Sequence, residues 1–292
     1  MTELGIPEAR FVSVSGRRYC YRITGEGQAI LLLHGLTDSS RVVWQDFVRE
    51  FENQYTLVAI DLPGHGESES IRRGYTPTDQ AKLVAAIIEM LKLSRPVLLG
   101  HSLGGIIAAK FAVLFPNRLS KLIICDSPLG AGFWRNLKLV NHVSVKGVTL
   151  VGVTLIPGLG RFVFKLRSQK TMRLALQNLR VFCDPSRITR ETIEKLIQEK
   201  MRSTYDAVSQ SLWHSVLFQN LYKDLNQISV PTLIIHGSHD SLVPVNWAQR
   251  AAARIPDSRL ILIENAGHFP LIEKSKQFNQ AVARFLSPVD TN

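Results

Sequence analysis

The stretch that constrains this chain most is Gly100-His101-Ser102-Leu103-Gly104-Gly105. An apolar run, Pro96-Val97-Leu98-Leu99, enters it, and a helix-patterned run over 106–115 leaves it. A strand, a glycine-flanked serine and a helix are the context in which G-x-S-x-G makes a sharp turn with the serine hydroxyl at its apex. Gly100 and Gly104 suit that turn, because side chains there would collide with the adjoining strand and helix. Ser102 would then sit at a helix N-terminus, with the Leu103 N–H beside it. A motif this short also occurs as a plain turn, and a hydroxyl is a weak nucleophile without a neighbouring base. The rest of the chain must therefore supply an imidazole or equivalent, a carboxylate to orient it, and a second N–H donor.

Around that turn, apolar strands alternate with amphipathic helices. Residues 11–14 and 18–23, separated by Ser15-Gly16, alternate apolar and polar side chains and predict an antiparallel hairpin. Residues 29–33, 55–60 and 119–125 are continuous apolar runs, as fully buried strands require. Helices are predicted over about 43–51, over 106–115, and from a cap at Thr78 or Asp79 to about Leu91. In the last of these, Leu83, Ala86, Ile87, Met90 and Leu91 share one face. After Asp126-Ser127-Pro128 only helical patterns remain for about a hundred residues, at 133–140, 160–182, 190–203 and around 205–217. Strand and helix order then returns over 231–236, 247–255, 259–263 and 274–286. The expectation is an α/β fold with a parallel sheet covered on both faces. Residues 1–128 and 229–292 would form this core, and 129–228 an inserted all-helical lid.

Of eight histidines, His268 is best placed as a base with a suitable pKa. It follows the last predicted strand, in Gly267-His268-Phe269, where a loop at the carboxyl edge of the sheet can reach the elbow. Asp240 ends the preceding strand, with one helix and one strand between it and His268, so both loops belong on the same edge. The second N–H donor is expected from Leu36, in the loop His34-Gly35-Leu36, with Gly35 allowing close backbone approach. Leu36 and Leu103 would form the oxyanion hole. His34, His65 and His101 are read as loop-holding residues, His236 as a strand-end core residue and Asp61 as a tie for its own glycine-rich loop. His239 is read as a loop residue, His142 and His214 as lid packing, and the four tryptophans as core.

The Ser…Asp…His order, the His34-Gly35 turn, Asp61-Leu62-Pro63-Gly64-His65-Gly66, the elbow and the late Gly-His-Phe element together resemble the α/β-hydrolase superfamily, in its capped, serine esterase and lipase-like branch. The resemblance covers about 29–286 apart from the lid. It implies an eight-stranded, mostly parallel sheet, with Ser102 as nucleophile, His268 as base and then acid, and Asp240 as its orienting carboxylate. Asp126 is a rival acid, since some relatives use that position. Neither a metal nor an organic cofactor is implied. A serine at 102 departs from the epoxide hydrolase and haloalkane dehalogenase branches, which carry aspartate there. A non-hydrolytic acyltransferase or ligand-binding relative stays as a further alternative, and carbon–carbon hydrolases of ring-cleavage products as the runner-up. They usually carry Trp after the catalytic histidine and a lid arginine, whereas Phe269 stands here and no lid arginine matches clearly, although Asp184-Pro185-Ser186 is similar to theirs.

The net charge of +11 is concentrated in one segment. From Ser127 to Cys183 there are nine basic residues and no acidic one. Five of them, Lys146, Arg161, Lys165, Arg167 and Lys170, flank an apolar run over 148–156 that is too short and too interrupted to span a bilayer. The reading is a small-molecule ester as substrate, lipophilic or of medium chain length; the apolar run either closes over the active site or, with its basic flanks, gives the lid peripheral contact with an anionic membrane. Nucleic acid is not expected, because the basic stretch carries no reading motif. Three cysteines, Cys20, Cys125 and Cys183, imply no disulfide framework. The first residues lack a basic and apolar leader, so a cytoplasmic location is expected.

Overall fold

The computed structural model describes residues 7–129 and 157–287. Eight strands form one sheet in the order β1-β2-β4-β3-β5-β6-β7-β8. β1 (Arg10–Val14) and β2 (Arg17–Thr24) make the predicted hairpin, and β2 runs antiparallel to β4 (Tyr55–Ile60). The other pairings, among β3 (Gln28–Leu33), β4, β5 (Val97–His101), β6 (Lys121–Cys125), β7 (Thr232–Gly237) and β8 (Ser258–Ile263), are parallel. Parallel strands need helical crossovers, which cover both faces and bury the strands on both sides. That is why the central strands read as unbroken apolar runs, whereas β1 alternates.

Alternate residues of each strand feed separate cores. Leu31, Leu33, Leu98 and Ile124 pack on one face with α2 (Pro77–Met90) and α3 (Leu103–Leu114). Ile30, Leu32, Leu99 and Ile123 pack on the other with α1 (Gln45–Phe51) and the C-terminal helix. α2 starts earlier than predicted. Thr76 is its cap, accepting the Asp79 N–H at 3.1 Å, and Pro77 opens the first turn. Its buried face is Ala81, Val84, Ala85, Ile87 and Ile88, while Met90 is 52% exposed. The buried face is turned from the predicted one: Leu83, Ala86 and Leu91 are only partly buried, and Ala81, Val84 and Ala85 face the core instead.

Between β6 and β7 the described insertion is helical: α4 (Pro157–Lys165), α5 (Gln169–Asn178), α6 (Arg190–Met201) and α7 (Tyr205–Ser211). A π-helical turn, Leu212–Leu217, continues α7, and a 3-10 segment, Leu221–Gln227, returns the chain to the sheet. The run predicted as one helix over 160–182 is two. Ser168 and Thr171 form a capping box, Ser168 Oγ accepting the Thr171 N–H at 3.2 Å and Thr171 Oγ1 the Ser168 N–H at 2.8 Å. The predicted helix at 133–140, the apolar run at 148–156 and His142 lie outside the described residues. After β7 come α8 (Val245–Ala252), α9 (Pro270–Glu273) and α10 (Ser275–Leu286), and all three cysteines are free.

Candidate active site

Ser102 stands between β5 and α3 with φ 51° and ψ −113°, a conformation that L residues rarely adopt. Two glycines make the turn possible. A Cβ on Gly100 would lie 2.2 Å from the Gly104 carbonyl oxygen, and one on Gly104 would lie 2.1 Å from that of Leu33. The strain exposes the hydroxyl at the carboxyl edge of the sheet and leaves Leu103 as the first residue of α3, where helix N–H groups lack intrahelical partners.

β7 and β8 are parallel neighbours, so their following loops emerge side by side. They deliver Asp240 and His268 to the same rim as Ser102. His268 Nδ1 lies 2.7 Å from Asp240 Oδ2 and Nε2 lies 3.1 Å from Ser102 Oγ. With Asp240 a carboxylate, Nδ1 is the donor, which leaves the Nε2 lone pair facing the serine hydroxyl. Asp240 Oδ1 also accepts the Leu242 and Val243 N–H groups at 2.8 and 3.0 Å. Burial pushes this carboxyl up, but the His268 charge and hydrogen bond, with His236 and the Val243 amide, outweigh it and hold Asp240 below its ordinary value.

Asp126, the rival acid, ends β6 one strand away with φ 45°. It accepts the Gly237 N–H at 2.9 Å and the Cys125 thiol at 3.0 Å, while the described carboxylate on His268 is that of Asp240. Burial, then the Asp240 charge, pushes the Asp126 carboxyl well above its ordinary value. His236 lies between the two acids, 3.5 Å from Asp240 and 3.8 Å from Asp126, and its Nε2 donates to the Val243 carbonyl at 2.8 Å. Among the described residues, Asp126, His236 and Asp240 are the one cluster of metal-ligand type. Nε2 of His236, both Asp240 oxygens and both Asp126 oxygens are already engaged with protein partners, so the cluster reads as a foundation for the Asp240 loop.

The other predicted residues hold the rim. Gly35 lies against the elbow: a Cβ there would come 3.2 Å from Ser102 Cβ and 3.0 Å from His101 Nδ1. His34 Nδ1 donates to the Gly35 carbonyl at 2.8 Å while its Nε2 accepts the Leu62 N–H at 2.9 Å. Next along, Thr37 has φ 66°, unusual for a β-branched residue, and turns the loop that carries Leu36. His101 donates from Nε2 to the His268 carbonyl at 2.8 Å, and burial, with the nearby His268, lowers its pKa to about 3, so it stays neutral. Asp61 ties its own loop as expected, accepting the Ser40 and Glu67 N–H groups at 2.7 and 2.9 Å.

A family model of the alpha/beta hydrolase fold matches residues 28–275. The chain belongs to that family. A 2-hydroxy-6-oxononadienedioate/2-hydroxy-6-oxononatrienedioate hydrolase of Burkholderia vietnamiensis is 28% identical over 92% of this chain and 91% of its own. A monoacylglycerol lipase of Xenopus laevis is 25% identical over 97% and 83%. Among solved structures, a thermophilic esterase of Thermogutta terrifontis aligns with a TM-score of 0.77 and 25% identity, over 96% of this chain and 98% of that one.

In this α/β hydrolase the rim opens into a cavity of about 310 Å³ that contains Ser102, His268, Leu36 and Leu103. Its walls are mostly apolar, with Val163, Phe164, Met172, Leu176, Val208, Leu212, Val216, Leu242 and Phe269 among them. Four polar side chains also line it: Arg167, one of the cations of the basic segment, and Thr37, Asp38 and Lys200, for which the sequence suggests no role. Asp38 and Lys200 are both buried and form an ion pair between the Leu36 loop and α6, and Ser39 Oγ donates to Glu199 at 2.6 Å beside it. Glu199-Lys200 looks like a solvated helix face in sequence, and only the fold turns it inward. Glu273 was also missed. Its carboxylate accepts the N–H groups of Cys183, Asp184 and Gly267 at 3.1, 2.6 and 2.8 Å, tying the insertion to the residue before His268.

Proposed function

We propose that this α/β hydrolase cleaves carboxylic esters with a lipophilic or medium-length acyl part through an acyl-enzyme on Ser102. The observation that carries this reading is the hydroxyl–imidazole–carboxylate chain at distances of 3.1 and 2.7 Å opening into an apolar cavity. Ser102 Oγ attacks the ester carbonyl while its proton passes to His268 Nε2, and Asp240 stabilises the imidazolium. The Leu36 and Leu103 N–H groups receive the developing oxyanion, a role worth about 10²–10³ in kcat per donor. The alcohol leaves with the proton from His268, and water repeats the sequence to release the acid. The names of the lipase and esterase relatives support an ester over other acyl compounds. A series of p-nitrophenyl esters of rising chain length tests the reading with wild type and Ser102→Ala. Turnover of short or medium esters by the wild type, and near-background rates in the variant, are expected. An inert wild type that hydrolyses a ring-cleavage dienoate overturns it in favour of carbon–carbon cleavage.

A membrane contact for the insertion has its own support. Leu159, Phe162 and Leu166, at helical spacing along α4 and just past its end, are 47, 60 and 62% exposed beside Lys165 and Lys170. Such a face suits the headgroup region of an anionic bilayer. Co-sedimentation with phosphatidylglycerol vesicles should be strong at low salt and weaken at high salt. Absence of binding at both removes the reading.

A further inference from the structure

The cavity holds one cation that nothing in the described protein neutralises. Lys200 is answered by Asp38. Arg161, Arg173 and Arg190, elsewhere in the insertion, pair with Asp206 and Glu194. Arg167 faces the cavity with no described carboxylate beside it. Its guanidinium is nevertheless fixed in place. Nη2 donates to the carbonyls of Met201 and Ser203, the latter at 2.7 Å, and the Cζ atom lies 3.7 Å from the centre of the Phe164 ring. Nη1 is buried and has no hydrogen-bond partner among the described residues. A buried donor left unpaired is costly, and on a charged group more so. Two carbonyls at the end of α6 and one aromatic ring thus hold a forked donor rigid at the wall of a mostly apolar cavity, with Nη1 left unpaired.

We propose that Arg167 is the seat of an oxyanion, a carboxylate or a phosphate, carried by the ester that Ser102 cleaves. This rests on the ester-hydrolase reading and narrows its substrate to amphiphilic anions with an apolar span between the reacting carbonyl and the charge. The chemistry of the site favours it: a guanidinium edge presents parallel N–H donors that match two oxygens of one oxyanion. Apolar walls alone would bind a neutral ester as well, and would gain nothing from a fixed, unpaired guanidinium.

Two matched pairs of esters test this and separate the two anions. The first is 4-nitrophenyl hydrogen adipate against 4-nitrophenyl methyl adipate, which differ in a terminal carboxylate on the acyl side. The second is 1-butanoylglycerol 3-phosphate against 1-butanoylglycerol, which differ in a phosphate on the alcohol side. In the wild type the charged member of one pair should have the higher kcat/KM, by roughly tenfold to a hundredfold and mostly through KM. Arg167→Met should abolish that ratio, and Arg167→Lys should keep part of it, because charge remains while the fork is lost. Melting curves of both variants report whether they fold. Calorimetric titration of Ser102→Ala with the adipate half-ester and with the acylglycerol phosphate reads binding without turnover. Ester hydrolysis without charge preference in either pair, and no tighter binding of the charged members, would mean that water alone satisfies Nη1 and would overturn the proposal. Binding of a charged ester by Ser102→Ala that depends on Arg167, with no ester turned over by the wild type, would keep this site and discard the ester reading.

Discussion

The two walls of the cavity are built to different tolerances. On the sheet side, Ser102, Asp240 and His268 are set by backbone contacts that leave no slack. Glycine carbonyl approaches fix the elbow, two amides fix Asp240, and the His101 ring fixes the His268 carbonyl. On the insertion side, Val163, Leu176, Val208 and Leu212 need only fill volume, and of the two described cations lining the cavity, Arg167 and Lys200, Arg167 has direction but no counter-charge. Cores accept volume-conserving apolar exchange at small cost, whereas a reacting constellation misplaced by an ångström loses orders of magnitude. Under the proposed function, the reaction belongs to one wall and the choice of substrate to the other. Among the seams where the walls meet are Lys200 to Asp38, Glu273 to Cys183 and Asp184, and the His268 N–H to the Val181 carbonyl at 2.7 Å.

The largest expected effect lies on the sheet side. In Asp240→Asn the amide oxygen can still accept from Leu242 and Val243, but the amide nitrogen then faces His268 Nδ1. The imidazole must offer Nδ1 as the acceptor, so Nε2 carries the proton and cannot take one from Ser102. The expected loss in kcat is about 10³–10⁴-fold with the fold intact. Steady-state kinetics beside a melting curve would show it. An activity near wild type would mean that Asp126 has taken over, and the division of labour on this wall would be wrong.

That wall is also the part legible in the sequence. Buried parallel strands have a simple apolar signature, and the elbow, Asp240 and His268 each follow one, so local pattern and topology agree. The seams and the insertion were not legible in the same way. Lys200 and Glu199 are polar residues in an ordinary amphipathic helix, and their burial depends on a loop 160 residues earlier in the chain. Glu273 ends a short helix and reads as a solvated charge, yet two amides from the distant insertion and the nearby Gly267 amide converge on it. Asp126 stays a rival to Asp240 in the sequence because some relatives use that position and it too ends a strand. A carboxylate's partner is decided by which loop lies over the imidazole, and strand order alone does not carry that.

Breaking the seams should cost stability more than chemistry. Lys200→Met removes one partner of a buried ion pair and leaves Asp38 ionised without a counter-charge, at about 3–5 kcal/mol in urea unfolding. Adding Asp38→Asn should recover much of that loss, since the orphaned charge goes with it. Failure of the double variant to recover would show that the pair contributes through packing. Glu273→Ala leaves three N–H groups without their acceptor, for about 1–3 kcal/mol. Because Gly267 is one of them, a modest fall in kcat should accompany the lower melting temperature.

The smallest effect, and the one that sharpens the contrast between the two acids, is Asp126→Asn. Asp126 has a raised carboxyl pKa in the folded protein, so it is neutral there when an unfolded aspartate has already ionised. Its contribution to stability is complete below the ordinary carboxyl range and is lost as pH rises toward the folded value. Asp240 is lowered, so its contribution is present above that range and lost as pH falls through its folded value. The two slopes oppose each other in the wild type and partly conceal one another. Asparagine at 126 cannot ionise, and its oxygen can still accept from Gly237, so activity should stay within about threefold. The variant should melt above the wild type at pH 8, with the gap closing toward pH 4. His65 and His101, each held near a pKa of about 3 by burial, lower the stability of both proteins alike below pH 6.5 and drop out of the difference. A gap independent of pH would mean that Asp126 is ionised beside Asp240, and that His236 between them carries the compensating proton.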